Sequence, residues 1–261
     1  MAMRVGVQIQ PQHTTFAQMR DAWVEAEELG VDTIFTWDHF FPLYGPPDGE
    51  HFECLTTLTA LAAATSRAQI GALVVCNSYR NPELLADAHR TIDHVSSGRT
   101  ILGIGAGWFE RDYDEYGYAF GTAPDRLRAL ARDLPRIRTR LDRLNPGPIG
   151  PMPILIGGSG PKVTLRLVAE HAQMWHSFGD ADTYRAKAAL LAEHCERVGR
   201  DPAEIEHTWG VASTTDRLLD HADGLHAAGV HQLILGIGGG PDGYDLAELR
   251  ELVAWRDALS G

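Results

Sequence analysis

The chain contains little cysteine and no long apolar segment. Its three cysteines, Cys54, Cys76 and Cys195, are far apart and form neither a metal-binding spacing nor a disulfide framework. A sparse, odd number of cysteines is typical of a reducing compartment. No run of 18 apolar residues occurs, and the first residues lack the charged segment and apolar core of a signal peptide. These absences predict a cytoplasmic protein that binds no metal and does not enter a membrane.

Positive charge and several enzyme motifs are also scarce. The chain has 23 Lys and Arg against 35 Asp and Glu, which gives a formal net charge of −12. Because a field of this sign repels polyanions, nucleic-acid binding is disfavoured. The sequence has no Gly-x-Ser-x-Gly elbow and no P-loop, and the Gly-Ile-Gly-Ala-Gly-Trp run at 103–108 lacks the third, helix-opening glycine of a dinucleotide-binding fingerprint. The enzyme classes that these motifs define are therefore disfavoured as well.

Strand-like and helix-like segments alternate along the chain. The predicted strands are Arg4–Ile9, Thr33–Trp37, Ala68–Val75, Thr100–Ile104, Pro153–Ile156, Met174–Phe178, Glu206–Ala212 and Gln232–Leu235. The predicted helices are Phe16–Leu29, Cys54–Ala64, Pro82–Val95, Pro124–Leu144, Lys162–His171, Ala181–Val198, Asp216–Ala228 and Leu246–Leu259. Alternation implies a parallel sheet, either open and doubly wound or closed into a barrel. Eight similar units favour closure, so we predict one α/β domain over residues 1–261, a (β/α)₈ TIM barrel.

The second predicted strand ends in a titratable pair. In a barrel of this kind the active site lies at the carboxyl ends of the strands. Trp-Asp-His-Phe occupies positions 37–40, and a pair such as Asp38 and His39 can position a ligand and move a proton. The structural alternative is that Asp38 caps the next segment while His39 packs among aromatic residues. Placement at a strand end favours the functional interpretation.

A glycine-rich segment follows the fifth predicted strand and opens a helix. It comprises Gly157, Gly158, Ser159 and Gly160. Free N–H groups at a helix N-terminus bind phosphate, so this segment predicts an anion cradle. The rival candidate is the later run at 236–240, which we rank lower because Pro-Asp-Gly follows it and indicates a surface loop.

A second glycine-rich segment follows the fourth predicted strand. Gly105 and Gly107 precede Trp108, and glycines here would let a ligand approach the backbone closely. The alternative is a plain glycine turn. Aromatic or polar residues that could line the same pocket are Tyr44, His51, Phe52, Trp108 and Trp209, and the first three follow the second strand.

Taken in order, these motifs resemble the luciferase-like oxidoreductase superfamily, and most closely its branch that uses the deazaflavin coenzyme F420. The resemblance covers nearly the whole chain. It rests on Val-Gly-Val-Gln-Ile at 5–9, Ala-Glu-Glu-Leu-Gly-Val-Asp at 26–32, Trp-Asp-His-Phe at 37–40, Leu-Ala-Ala-Ala-Thr-Ser-Arg at 61–67, Tyr-Arg-Asn-Pro at 79–82, Ser-Gly-Arg at 97–99, Gly-Ile-Gly-Ala-Gly-Trp at 103–108 and Ile-Leu-Ile-Gly-Gly-Ser-Gly at 154–160. No single motif is specific, but the set is.

The resemblance implies a cofactor and a role for several residues. It implies a catalytic His39 beside the reactive face of the cofactor ring and an Asp38 that contacts the ring's polar edge. It implies a cis peptide between Ala72 and Leu73 beneath the ring, and a phosphate cradle at 157–160. It also implies a homodimer acting on a small-molecule substrate. The alternatives are FMN as cofactor in a monooxygenase, and a barrel that binds flavin without catalysis.

Two departures from the family pattern bear on the substrate. Only eight residues, 145–152, separate the helix ending near Leu144 from the fifth strand, where most relatives carry a longer insertion. This short link predicts an unusually open pocket mouth. Trp108 stands where some deazaflavin dehydrogenases carry a carboxylate, so the resemblance does not favour a sugar-phosphate substrate.

Overall fold

A computed structural model describes residues 2–211 and 218–259 of the chain. Its strands are β1 (Arg4–Ile9), β2 (Thr33–Thr36), β3 (Gln69–Ala72), β4 (Val75–Cys76), β5 (Thr100–Gly105), β6 (Ile154–Gly157), β7 (Met174–Phe178), β8 (Glu206–Val211) and β9 (Gln232–Ile237). Its helices are α1 (Phe16–Glu28), α2 (Cys54–Ala64), α3 (Pro82–Val95), α4 (Glu110–Tyr116), α5 (Ala123–Arg143), α6 (Thr164–His171), α7 (Ala181–Val198), α8 (Leu218–Ala228) and α9 (Ala247–Ala258). Two short 3₁₀ turns, Asn77–Tyr79 and Pro202–Glu204, complete the order.

The strands close into a parallel barrel. Their order is β3-β2-β1-β9-β8-β7-β6-β5-β4, every pairing is parallel, and β3 also pairs with β5. Because β3 and β4 are two pieces of one barrel strand, the nine segments make eight strands. The predicted (β/α)₈ barrel is therefore confirmed, and the open sheet is excluded.

The third barrel strand is interrupted by a bulge between β3 and β4. A cis peptide joins Leu73 to Val74, so the predicted position between Ala72 and Leu73 is wrong by one bond. The reason lies in the strand ladder: Ala72 still pairs with Thr36, and the Leu73 N–H still donates to the Thr36 carbonyl at 2.8 Å. Regular pairing thus continues through Leu73, and the backbone departs from the sheet only beyond it.

One helix escaped the sequence prediction. The segment between β5 and α5 contains α4, which ends at Gly117 in the left-handed conformation. This helix is short, and the glycine and aromatic residues around 105–120 leave no recognisable helical spacing of apolar residues in the sequence. The predicted ends at Ala212 and Asp216 lie outside the described residues.

The barrel interior is built in layers, because alternate residues of each strand face inward. A polar layer lies at the amino ends of the strands, where Arg4 donates to Glu206 at 2.8 Å and to Gln69 at 2.5 Å. An apolar layer follows, formed by Phe35, Ile101, Leu155, Met174 and Ile234, with Leu73 and Val74 packed on top. A larger core fills the space between the outer faces of the strands and the helices. The filled lower barrel leaves the other end for a ligand.

The link at 145–152 lies at the amino ends of the strands, not at the pocket mouth. His94 Nε2 donates to the Gly147 carbonyl at 2.8 Å, and the Asp93 carboxylate accepts from the N–H groups of Ile149 and Gly150. These partners stand at the C-terminus of α3, just before β5 begins. The prediction that the short link opens the pocket mouth is therefore wrong, since an α-to-β connection in this fold closes the opposite end.

Buried histidines make the fold acid-sensitive. Burial lowers the pKa of His89 and of His207 to about 4, against about 6.5 when exposed. As the pH falls, each histidine binds a proton in the unfolded chain near pH 6.5 but in the folded chain only near pH 4. Protonation therefore favours the unfolded state, so the free energy of unfolding is highest above pH 6.5 and decreases as the pH falls toward 4. Each histidine should lower the free energy of unfolding by at most about 1.4 kcal/mol per pH unit in this window. Urea unfolding at pH 7, 6 and 5 measures the slope, which His89→Gln should reduce. An unchanged slope in that variant would contradict the assignment.

No helix within the described ranges is both long and apolar enough to cross a membrane.

Candidate active site

The barrel mouth, meaning the end at the carboxyl ends of the strands, is lined by glycine on four of its strands. The inward positions of the top layer are Gly105, Gly157, Gly210 and Gly236 on β5, β6, β8 and β9. A side chain would not fit at two of them, because a Cβ on Gly105 or Gly157 would lie 2.7 or 3.0 Å from the Val74 side chain. The Val74 side chain therefore occupies the space beside these two glycines, and the bulge at Leu73 and Val74 forms the floor of the mouth above the apolar layer. Gln8 fixes this floor by donating from Nε2 to the Leu73 carbonyl at 2.7 Å.

His39 stands beside this mouth and is held by a carboxylate that sequence reasoning missed. Its Nδ1 lies 2.7 Å from Asp112 Oδ2, and Asp112 comes from α4. The same oxygen accepts from the Tyr79 hydroxyl at 2.9 Å, and the other accepts from the Phe40 N–H at 3.0 Å. Burial raises the pKa of Tyr79, which keeps this hydroxyl protonated and donating. Since Asp112 only accepts, the network assigns the Nδ1 proton to His39 and leaves Nε2 as its reactive nitrogen.

Asp38 is enclosed in the protein rather than open to the cavity. Its side chain has no exposed surface, and Arg80 binds both carboxylate oxygens, at 2.6 and 2.9 Å. The Cys76 N–H donates to the same carboxylate at 2.9 Å, and Arg80 also reaches Glu53 at 2.8 Å. Asp38 thereby ties the end of β2 to β4 and to the start of α2. In this conformation both of its carboxylate oxygens are occupied by Arg80, and its side chain is closed off from the mouth.

The predicted cradle at 157–160 lies at the same mouth, in the turn from β6 to α6. The Gly158 N–H is already used, since it donates to the His176 carbonyl at 2.9 Å, and the Gly158 carbonyl accepts from the Trp175 indole at 2.8 Å. From Ser159 to Thr164, no backbone N–H donates a hydrogen bond within the described part of the chain. No acidic residue stands in the first turn of α6. An anion here would thus be bound by the N–H groups that follow Gly158.

The remaining sequence-predicted residues divide between the cavity and the core. Trp108 is 63% exposed and packs edge-on against His39, with ring centroids 5.7 Å apart. Gly107 has φ +81° and lies against Tyr113 and Cys76, where a Cβ would clash. Ala72 is fully buried on the outer face of its strand. Gly107 and Ala72 therefore support the backbone of the site and do not line the mouth with side chains.

Aromatic residues of the segment that follows β2 complete the wall around His39. Trp37 packs edge-on against His39 at 5.9 Å and against Tyr44 at 6.0 Å, and its indole donates to His51 Nε2 at 2.9 Å. Burial lowers the pKa of His51 to about 4, so this acceptor stays neutral. Trp209, in contrast, is fully buried on the helix side of β8 and lines no cavity, which corrects its assignment to the pocket.

The titratable groups do not converge on one point in the manner of a metal centre. No group of three or more His, Cys, Asp or Glu side chains that could hold a metal ion occurs within residues 2–211 and 218–259. The mouth instead combines a histidine–carboxylate pair, an aromatic wall, a floor at Leu73 and Val74 and a turn with free backbone N–H groups.

Comparisons with known proteins identify the family of the chain. The family model described as luciferase-like monooxygenase matches residues 2–237. A protein of Kineococcus radiotolerans named F420-dependent glucose-6-phosphate dehydrogenase is 30% identical over 229 residues, which are 79% of this chain and 66% of that protein. Its namesake from Amycolatopsis mediterranei is 31% identical over 157 residues, which are 54% of this chain and 47% of that protein. The chain thus spans less than two thirds of the length of either relative.

Solved structures share the fold at low sequence identity. An F420-dependent secondary alcohol dehydrogenase in complex with an F420-acetone adduct superposes with a TM-score of 0.81 at 16% identity, covering 93% of this chain and 95% of the other. The coenzyme F420-dependent tetrahydromethanopterin reductase of Methanopyrus kandleri superposes with a TM-score of 0.74, also at 16% identity, covering 97% of both chains. With a family match that runs from β1 to the end of β9, this chain belongs to the luciferase-like monooxygenase family.

Proposed function

We propose that this chain is a coenzyme F420-dependent oxidoreductase that acts on a small organic substrate. The observation that carries the proposal is the His39–Asp112 pair at the edge of a glycine-lined barrel mouth. Two relatives and two structural neighbours that are named as F420-dependent enzymes support the choice of cofactor.

The residues at the mouth fit a planar cofactor that carries a phosphate. Leu73 and Val74 form a floor on which a flat ring can lie, since Gly105 and Gly157 carry no side chain above it. The free N–H groups between 159 and 164, Pro161 excepted, would hold the phosphate, with the dipole of α6 favouring its charge. When bound, the deazaflavin supplies hydride chemistry as donor or acceptor of the hydride.

His39 would move a proton at the substrate atom next to the carbon that exchanges hydride. Its Nδ1–H is fixed on Asp112, so Nε2 alone faces the reaction and can accept a proton or, once protonated, give it up. Asp112 stabilises the imidazolium that forms and orients the ring, which makes it a positioning residue. Trp37 and Trp108 shield this proton transfer from water on two sides of the ring.

Cofactor identity is tested by titrating the purified chain with coenzyme F420 and, separately, with FMN. We expect the dissociation constant for F420 to be lower by at least about tenfold, equal to about 1.4 kcal/mol. Tighter binding of FMN, together with oxygen-dependent turnover of reduced FMN, would favour the monooxygenase alternative. Failure of both flavins to bind would contradict the proposed function.

Gly158→Asp is expected to lower the affinity for the cofactor by more than about tenfold, or about 1.4 kcal/mol. Gly158 has φ +113°, which side chains rarely adopt, and the added carboxylate would stand next to the phosphate. Fluorescence titration measures the loss. Gly199→Asp is the matched control: it adds the same charge at φ +70°, with no atom within 4 Å, at the end of α7 away from the mouth. If both variants lose the same cofactor affinity, the segment at 157–160 is not the phosphate-binding site.

For the substrate we propose an uncharged small organic molecule rather than a sugar phosphate. The guanidinium groups of Arg80 and Arg111 at this end of the barrel are bound to Asp38 and Asp48, and Trp108 occupies the wall. Neither arginine is thereby free to receive a substrate phosphate.

We further propose that the protein works as a homodimer in the cytoplasm, as the family resemblance implies. Sedimentation at micromolar concentration should give twice the mass of 28.6 kDa. A monomer under these conditions would contradict the dimer.

A further inference from the structure

The imidazole of His176 faces the barrel mouth from β7, and only the backbone of this residue enters the site described above, through its bond to Gly158. It stands one inward position above Met174, which belongs to the apolar layer inside the barrel. Its Nδ1 lies 2.9 Å from the Oγ1 of Thr208, the residue paired with it on β8. Its Nε2 has no hydrogen-bond partner among the described residues, yet it is not among the side-chain atoms closed off from solvent.

The partners of Thr208 determine which nitrogen of His176 carries the proton. The Thr208 hydroxyl donates its only proton to the Trp175 carbonyl at 3.2 Å. It can then only accept from His176, so the Nδ1 of His176 must be the donor. A neutral imidazole has one N–H, which leaves Nε2 as a bare acceptor directed to the cavity.

Two features keep Nε2 of His176 unprotonated and accessible from the mouth. Burial lowers the pKa of His176 to about 3, so the ring carries no charge above mildly acidic pH. Gly210, on the neighbouring strand, has no side chain to cover it: a Cβ there would lie 3.6 Å from His176 Nε2. A ligand lying on the floor of the mouth therefore meets an unprotonated nitrogen with a free lone pair.

We propose that His176, locked by Thr208 as the Nδ1–H tautomer, binds the cofactor by accepting a hydrogen bond at Nε2 from a ring N–H or O–H group. The inference rests on the proposed function in placing a planar cofactor at the mouth, but it holds for a deazaflavin or a flavin. It makes His176 a binding residue for a neutral donor, distinct from the anion-binding turn and from the proton-moving His39.

The tautomer is tested first, by ¹⁵N NMR of the histidine-labelled chain, with His176→Asn identifying the resonances. We expect the proton on Nδ1 in the free protein, and a shift confined to Nε2 when oxidised coenzyme F420 is added. A proton on Nε2 in the free protein would overturn the inference whatever the cofactor does.

Affinity is tested second, by titrating each variant with oxidised coenzyme F420. His176→Asn keeps a donor toward Thr208 but has no acceptor at the Nε2 position, and should weaken binding about three- to tenfold. Thr208→Val removes the hydroxyl that binds Nδ1 of His176 and should weaken F420 binding as well. Thr208→Ser keeps the hydroxyl and should bind F420 like the parent chain. Thermal unfolding of every variant checks that the fold is intact. If the parent chain binds F420 and both His176→Asn and Thr208→Val bind it equally well, the inference is wrong; if the parent chain binds no flavin, the proposed function fails instead.

Discussion

Replacing His39 by alanine is expected to slow turnover about a hundredfold or more while cofactor affinity changes little. General acid–base catalysis by a positioned side chain contributes about a hundredfold to ten-thousandfold, and His39 Nε2 is the group we place at the reacting atom. Cofactor affinity by fluorescence titration and single-turnover rates at saturation separate the two effects. If the variant loses affinity as severely as Gly158→Asp but turns over normally once saturated, His39 is a binding residue and the proposed mechanism is wrong.

Asp112→Asn tests the same pair from the other side. The amide cannot stabilise an imidazolium as the carboxylate does, so turnover should fall about tenfold. Cofactor affinity should stay close to that of the parent chain while turnover falls, a split that a purely structural defect would not produce. Asp114→Asn is the matched control, since Asp114 is an exposed residue of the same helix. Parallel behaviour of the two variants would contradict the role of Asp112.

Replacing Arg80 by alanine is expected to lower the free energy of unfolding by about 3–5 kcal/mol. Removal of one partner of a buried ion pair leaves the other charge uncompensated, and that penalty has this size. Asp38 has no exposed surface, Arg80 is 13% exposed, and Arg80 holds both of its carboxylate oxygens. Urea unfolding at pH 7 measures the change, and cofactor binding should weaken in parallel because the backbone at His39 and at the floor is held by this pair.

The control for Arg80 is an exposed ion pair of the same chemistry. Arg166 donates to Glu170 at 2.8 Å, one helical turn away, with both side chains partly exposed. Such pairs contribute less than about 1 kcal/mol, so Arg166→Ala should be nearly neutral. Should Arg80→Ala cost no more than Arg166→Ala, the Asp38–Arg80 pair is not the support we describe.

The order of elements was readable from the sequence because each carries a local period. Alternating or continuous apolar residues predicted the eight barrel strands, and helices such as α3 and α5 were predicted to within one or two residues at each end. The barrel mouth was predicted as the site because parallel strands end there. His39, Trp108 and the segment at 157–160 all lie at that mouth, as expected.

Side-chain partnerships were not readable in the same way. Asp112 was missed because it lies 73 positions from His39, in a helix of seven residues that has no clear apolar period. Asp38 follows a strand end as the motif suggests, but its carboxylate is taken by Arg80, 42 positions away. The link at 145–152 was placed at the wrong end because its length alone does not say which face it closes.

The sequence by itself determined the fold class, the strand and helix order and the end of the barrel that carries the chemistry, because periodicity and strand direction are local properties of the chain. Only the tertiary structure decided which nitrogen of His39 and of His176 is free, that the Asp38 carboxylate is enclosed by Arg80, and where the floor of the mouth lies. Those features depend on hydrogen bonds and close contacts between residues far apart in sequence, such as Thr208 with His176 and Val74 with Gly157. No local pattern encodes such contacts, because they form only when the barrel closes.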